Sequence, residues 1–247
     1  MIMLNKDFIN VTFDKSILKP ISLKELCLLS QKSIDFSAIN MKIELLDDVK
    51  IYLRDDLIDQ KDLINFKKIE HKIEFILNRA SVLEYNMNLR PTGEFEQLTQ
   101  NNCEFDKNLK LNIAGQHAFA KVRMNCLGLA QQKLNFFTEQ NHLVSLSSSC
   151  LRIKIVLLDA AELHCNSKIF VDKGLQEVFA RQINKNLLLG LNACVSTTPQ
   201  LEVLSDHVKC KHGATVKTLD EEQLFYISSR GVAKKQASDL LINGFLH

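Results

Sequence analysis

Polar and apolar residues alternate along much of this chain. Phe8–Phe13 (FINVTF), Lys42–Leu46 (KIELL), Val49–Leu53 (VKIYL), Lys72–Leu77 (KIEFIL), Lys110–Ile113 (KLNI), Leu134–Phe137 (LNFF) and Arg152–Leu157 (RIKIVL) all follow this pattern. A period of two sets one face of a strand on a core and the other in water. Between residues 108 and 172 such segments recur roughly every 8–15 residues, with Asn, Gln, Ser and Asp between them. Regular short strands of this kind build a sandwich, a barrel or a β-solenoid. No strict repeat is visible, so the periodicity leaves the three open.

Helical signals lie near the ends. Ser22-Leu23-Lys24-Glu25 has the form of a capping box and predicts a helix of about ten residues. Asp220-Glu221-Glu222-Gln223 predicts a second helix through Tyr226, which Gly231 ends in a left-handed cap. Ala233, Ala237, Leu240, Leu241 and Phe245 share one face of a third. The chain divides into an N-terminal segment with a short helix (1–35), a β body (36–218) and a helical tail (219–247).

Composition narrows the picture. The 247 residues suffice for one domain, or one with a small appendage. With 31 Lys+Arg against 29 Asp+Glu, the formal charge of +2 gives no global pull on nucleic acid or an anionic membrane and leaves room only for a local patch. No apolar run approaches the roughly 18–20 residues of a membrane-spanning helix. Asn5, Lys6 and Asp7 stand where a signal peptide needs apolar residues, so the chain reads as cytosolic. None of the seven cysteines forms a C-x-x-C pair, which argues for reduced, mostly interior thiols rather than disulfides or a local zinc site. Eight glycines and three prolines are few, so corners should be turned largely by Asn, Asp and Ser.

Signatures of nucleotide-binding and hydrolytic enzymes are missing: no Gly precedes Lys as in a P-loop, no Gly pair has Rossmann spacing, and H-E-x-x-H and G-x-S-x-G are absent. Glu94 and Glu96, two apart on one face, are the paired acids a sugar-cleaving solenoid would use, though like-facing surface charge is the commoner reason for such a pair. Cys210 and His212 also lie two apart, so both project from one face of a strand, and thiolate and imidazole are ligand types for iron and its clusters. His207 falls on the opposite face, and Cys165 has the character of a core thiol.

Six stretches, in order, resemble the SufB/SufD family of scaffold proteins for iron–sulfur cluster assembly. They are QINKNLLL (182–189), TPQLE (198–202), VKCKHGATV (208–216), DEEQLFY (220–226), SRGV (229–232) and LLINGF (240–245). The VKCKHGATV run is similar to the SufD branch, and the resemblance covers about residues 130–247. It implies an all-β body, a right-handed parallel β-helix (β-solenoid), with a small C-terminal helical domain. It implies a non-enzymatic, SufD-like scaffold whose tail docks a SufC-type ATPase and whose β-helix meets a SufB-like protomer or a second copy of itself. Phe225, Tyr226, Arg230 and Phe245 would face the ATPase. His212 and Cys210 would lie where a transient iron–sulfur cluster, shared with the partner and not held by this chain alone, is assembled. Nucleic acid and membrane are not among the implied partners. Two alternatives stand beside these roles: Cys210 and the tail aromatics serve packing, or the chain is a divergent homodimer without cluster chemistry.

Overall fold

The alternating segments form strands that stack on one another instead of folding into hairpins. A computed structural model describes residues 2–5, 8–28, 35–58, 66–90 and 102–246. One wall contains β1 (Ile2–Asn5), β2 (Phe8–Phe13), β4 (Ala38–Leu45), β6 (Lys68–Leu77), β8 (Glu104–Ile113), β10 (Lys133–His142), β12 (Glu162–Val171) and β14 (Cys194–Val203), in that order. The other contains β3 (Ile17–Ser22), β5 (Lys50–Asp55), β7 (Val82–Leu89), β9 (Phe119–Gly128), β11 (Ser148–Leu157), β13 (Gln176–Leu188) and β15 (His207–Lys217). All neighbours are parallel except β1 on β2. Each strand therefore pairs with those two before and two after it, which makes a β-solenoid and excludes a sandwich of hairpins or a closed barrel. The sheets already begin with β1 and β2, upstream of residue 36.

One side of each strand faces the lumen. From β4 to β11 that side is mostly apolar and buried, with Phe75, Tyr85 and Phe136 among its largest members. Rings stack from coil to coil: Phe105 meets Phe136 edge-on at 6.0 Å between centroids, and His71 meets Phe105 at 5.7 Å.

The corners differ from the sequence expectation. Asp48, Ala80, His117, Ala130, Leu146, Asp159 and Glu177 all adopt positive φ, and only two of them are Asn, Asp or Ser. Stacking supplies the reason. The amide of Asp48 donates to Arg79 O (2.8 Å), Ala80 to Gln116 O (2.8 Å), His117 to Leu146 O (2.7 Å) and Leu146 to Gln176 O (3.0 Å). These four corners are thus hydrogen-bonded onto the next coil, and that ladder offsets the cost of the left-handed conformation.

Ser22 Oγ accepts from the Glu25 amide at 3.1 Å and opens α1 (Leu23–Leu28), which buries Leu23, Leu26 and Cys27. The rest of the predicted first helix, and Glu94 and Glu96, lie outside the described residues. The tail holds α2 (Glu221–Ser229) and α3 (Lys234–Leu246). The Asp220 carboxylate caps α2 by accepting from the Glu222 and Gln223 amides, and Gly231 follows at φ 88°. On α3 the buried stripe is Ala237, Ile242 and Leu246, while Leu240 is exposed. The helix is turned so that Ile242 and Leu246 reach an apolar patch on the odd-numbered wall, formed by Leu127, Leu129, Val156 and Leu187. Among the described residues no helix is long and apolar enough to cross a membrane.

Candidate site at the open coil and helical tail

The final coil is uncovered. Among the described residues β14 pairs only with β12 and β15 only with β13, so each ends its sheet. Pro199 lies in β14, in keeping with the preference of proline for an edge. β15 contains no proline along its eleven residues. At the opposite end β1 folds back antiparallel on β2, and α1 tucks its apolar face inward.

Register assigns the lumen-facing side chains of the last coil. On β15, Val208, Cys210, His212, Ala214 and Val216 stand over Val178, Ala180, Gln182, Asn184 and Asn186 of β13. Cys210 and His212 therefore share a face, as their spacing predicts, but their surroundings differ. Cys210 is half-buried beside Val203 and Val208 on a small cluster of Ile169, Val171, Val178 and Ala180. Burial pushes its thiol pKa above the ordinary value, against a smaller opposing effect from the Ala180 backbone. His212 is exposed, and His207 points outward. Cys165 is buried in the core. Among the described residues no three His, Cys, Asp or Glu side chains gather to hold a metal ion.

Beneath His212 the lumen turns polar. Thr138, Gln140 and His142 of β10, Ser167 of β12, and Gln182, Asn184 and Asn186 of β13 are all buried. His142 sits between Ser147 Oγ and Ser149 Oγ, 2.8 Å from each, and Asn184 donates to Thr197 Oγ1 at 3.3 Å. Thr138 Oγ1, both amide atoms of Gln140, Gln182 Oε1, Asn184 Oδ1 and both amide atoms of Asn186 have no hydrogen-bond partner among the described residues. Three of them, Gln182, Asn184 and Asn186, lie within the QINKNLLL stretch. Its alternation holds the signal: Gln182, Asn184 and Asn186 occupy the inward phase while Ile183 and Lys185 point out.

The tail residues separate into two groups. Phe225 is 76% and Tyr226 60% exposed, on a shallow groove completed by Ile227 and Leu241. The Arg230 guanidinium lies 5.3 Å from the Tyr226 ring centroid and donates to its hydroxyl at 3.4 Å. Phe245 faces inward: it packs on the cluster joining α3 to the sheet, and Lys154 Nζ lies 5.7 Å from its ring and 2.6 Å from its carbonyl oxygen.

Residues 96–245 match the family model described as SUF system FeS cluster assembly, SufBD core domain. The chain is 30% identical to the iron–sulfur cluster assembly protein SufD of Escherichia coli over 138 residues, which are 56% of this chain and 33% of that protein. It is 37% identical over 92 residues to an iron–sulfur cluster assembly SufBD family protein of Synechocystis, covering 37% of this chain and 20% of the relative. Against SufB of Bacillus subtilis it is 35% identical over 60 residues, 24% of this chain and 13% of that one. The chain thus spans about a fifth to a third of the length of the first relatives it matches. With residues 96–245 matched to that core domain and SufD among the relatives, the chain belongs to the SufB/SufD family of the SUF iron–sulfur cluster assembly system, on its SufD-like side.

Proposed function

We propose that this chain is a non-enzymatic scaffold subunit of an iron–sulfur cluster assembly complex. Its open last coil joins a SufB- or SufD-type protomer, and its helical tail docks a SufC-type ATPase. The observation that carries this reading is the uncovered coil: two strands, β14 and β15, end their sheets side by side. An edge exposes rows of amide donors and carbonyl acceptors that a second chain can satisfy by continuing the sheets. The exposed aromatics of α2, with Arg230 held against Tyr226, are the residue types that anchor interfaces.

In this reading the nascent cluster is cargo. His212 stands at the mouth of the coil and presents its imidazole to the partner, while Cys210 waits half-buried behind it. Two donors cannot complete a cluster site, so the partner contributes the remaining ligands. The packing of Cys210 on the apolar cluster of Ile169, Val171, Val178 and Ala180 favours a second reading, in which a homodimer of this chain serves structurally and assembles no cluster. Anaerobic reconstitution of the chain with SufB- and SufC-type partners, iron and sulfide separates the two. Visible absorption that forms with the wild type and fades with His212→Ala supports the scaffold; a colourless complex supports the structural role. Full ATPase binding by a Phe225→Ala/Tyr226→Ala variant would refute the tail assignment.

A further inference from the structure

The two outer walls of the solenoid carry different charge. On the even-numbered wall cations and carboxylates are interleaved across strands, as in Lys68–Asp106 (2.9 Å), Lys110–Glu139 (3.7 Å), Lys133–Glu162 (3.6 Å) and Lys168–Glu202 (2.6 Å). The odd-numbered wall becomes basic toward its open end. In register across β9, β11, β13 and β15 the outward positions place Lys121 beside Cys150, Arg181 and Lys211; Arg123 beside Arg152; Lys154 beside Lys185; and Lys209 beside Phe179. Adjacent strands lie about 4.8 Å apart and successive outward residues about 6.8 Å apart, so eight cations share one flat face. Between Phe119 and Thr215 the outward positions of these strands hold no carboxylate below the corner residue Glu177. Glu84 on β7 reaches Lys121 (3.3 Å) and Arg123 (4.0 Å) at one margin. Arg152, Arg181, Lys185 and Lys211 have no ion-pair partner among the described residues, and two of them, Arg152 and Lys185, act on Lys154. Its pKa is lowered first by partial burial and then by Arg152, Lys185 and Arg90.

This face runs directly into the tail. Below the basic rows the same strands supply Leu127, Val156 and Leu187 to α3, and Lys154 holds the carbonyl of Phe245. We propose that the protein that grips the helical tail also lies along this wall and meets it with an acidic surface. The inference rests on the tail reading above and adds a second, electrostatic half to that seat. Arg side chains around Phe179 and Ile183 give the mixture of charge and apolar anchors typical of a protein interface. Nucleic acid fits less well. The whole chain has a net charge of only +2, too little for a general pull on a polyanion.

The test is binding of the full chain to a SufC-type ATPase at 50 and 200 mM NaCl, beside a fluorescent 20-nucleotide single strand as a competing probe. Wild-type affinity for the ATPase should fall at least tenfold between the two salt concentrations. Arg152→Glu/Arg181→Glu/Lys185→Glu/Lys211→Glu should weaken binding at least tenfold at 50 mM and flatten the salt dependence. The neutral Gln versions of the four should fall between, with circular dichroism confirming that both variants fold. Affinity unchanged by charge reversal overturns the proposal, and if Phe225→Ala/Tyr226→Ala still abolishes binding, the tail reading survives alone. If the wild type does not bind the ATPase, both readings fall. If the oligonucleotide binds more tightly than the ATPase and charge reversal removes it, the wall is a nucleic-acid surface instead.

Discussion

At the scale of single residues, the lumen holds two histidines that cannot readily accept a proton. His71 is buried with Nε2 2.8 Å from Phe36 O, near a fully buried Lys107 that bonds the carboxylate of Asp55, which also accepts from Tyr85. Burial, then the Lys107 charge, lowers the His71 pKa to about 4 against a partial opposing pull from Asp55. Burial alone lowers His142 to about 4, and its ring contacts are the two serine hydroxyls. Both folded values lie below the unfolded value of 6.5, so the unfolded chain binds more protons in the interval. Stability is complete above about pH 6.5 and is lost as pH falls toward 4, by up to about 2.7 kcal/mol per pH unit for two such groups. Burial alone would raise the Asp55 pKa, but Lys107, His71 and the hydrogen bonds reverse it and hold it below the ordinary carboxylate value. Its contribution is therefore lost at still lower pH. Thermal melts from pH 7 to 4.5 should show a steadily falling midpoint, and a flat profile would mean that these imidazoles are open to water. Lys107 was legible in principle: in Glu104–Ile113 it falls on the inward phase with Phe105 and Leu109. A charged residue in that phase reads as a broken strand until Asp55, 52 positions away, is brought to it.

At the scale of elements, the strands were written in the sequence because their stabilisation is local in pattern: alternate residues bury. The corners were not, since what fixes them is the coil above. Gly190 makes the point. A Cβ there would come within 2.0 Å of Asp159 O and 2.4 Å of Asp159 N, and one on Gly115 within 2.0 Å of Arg79 N. These glycines are demanded by close approach between stacked backbones, as neither has positive φ. Gly213, in edge strand β15, has nothing within 4 Å of the same position. Gly190→Ala should therefore cost about 1–3 kcal/mol through backbone displacement. Gly213→Ala should be neutral, or stabilise by up to about 1 kcal/mol by restricting the unfolded chain. Chemical denaturation of the two variants compares them directly; equal stabilities would show that the corner relaxes around the added methyl. The tail was legible at its caps, where Asp220 and Gly231 act within a few residues. Leu240 departs from the expected face, because which stripe of α3 is buried depends on the position of Leu127, Val156 and Leu187 in a distant sheet.

At the scale of the whole molecule, periodicity could not distinguish a solenoid from a barrel, because both contain alternating strands and differ only in which strands pair. Here Lys133 lies between Glu104 and Glu162, an advance of 29 residues in each direction that no local pattern encodes. The ordered motifs of the last third supplied what the alternation could not. The same limit hid the charge of the odd-numbered wall, since a net +2 averages its basic rows with carboxylates elsewhere in the chain. A solenoid also has an end, and this one leaves Leu201 and Val216, both on the lumen side of the last coil, 41% and 47% exposed. Each keeps nearly half of its surface in water, whereas a second coil laid on them would bury it and satisfy both sheet edges together. A lysine at each position would leave the earlier coils untouched and place charge against any incoming strand. Leu201→Lys/Val216→Lys should accordingly keep the wild-type melting temperature within a few degrees. It should weaken association at least tenfold, measured by sedimentation for self-association and by titration for a SufB-type partner. If the variant associates as the wild type does in both measurements, the open coil is not the joining surface, and the partner must be met along a wall.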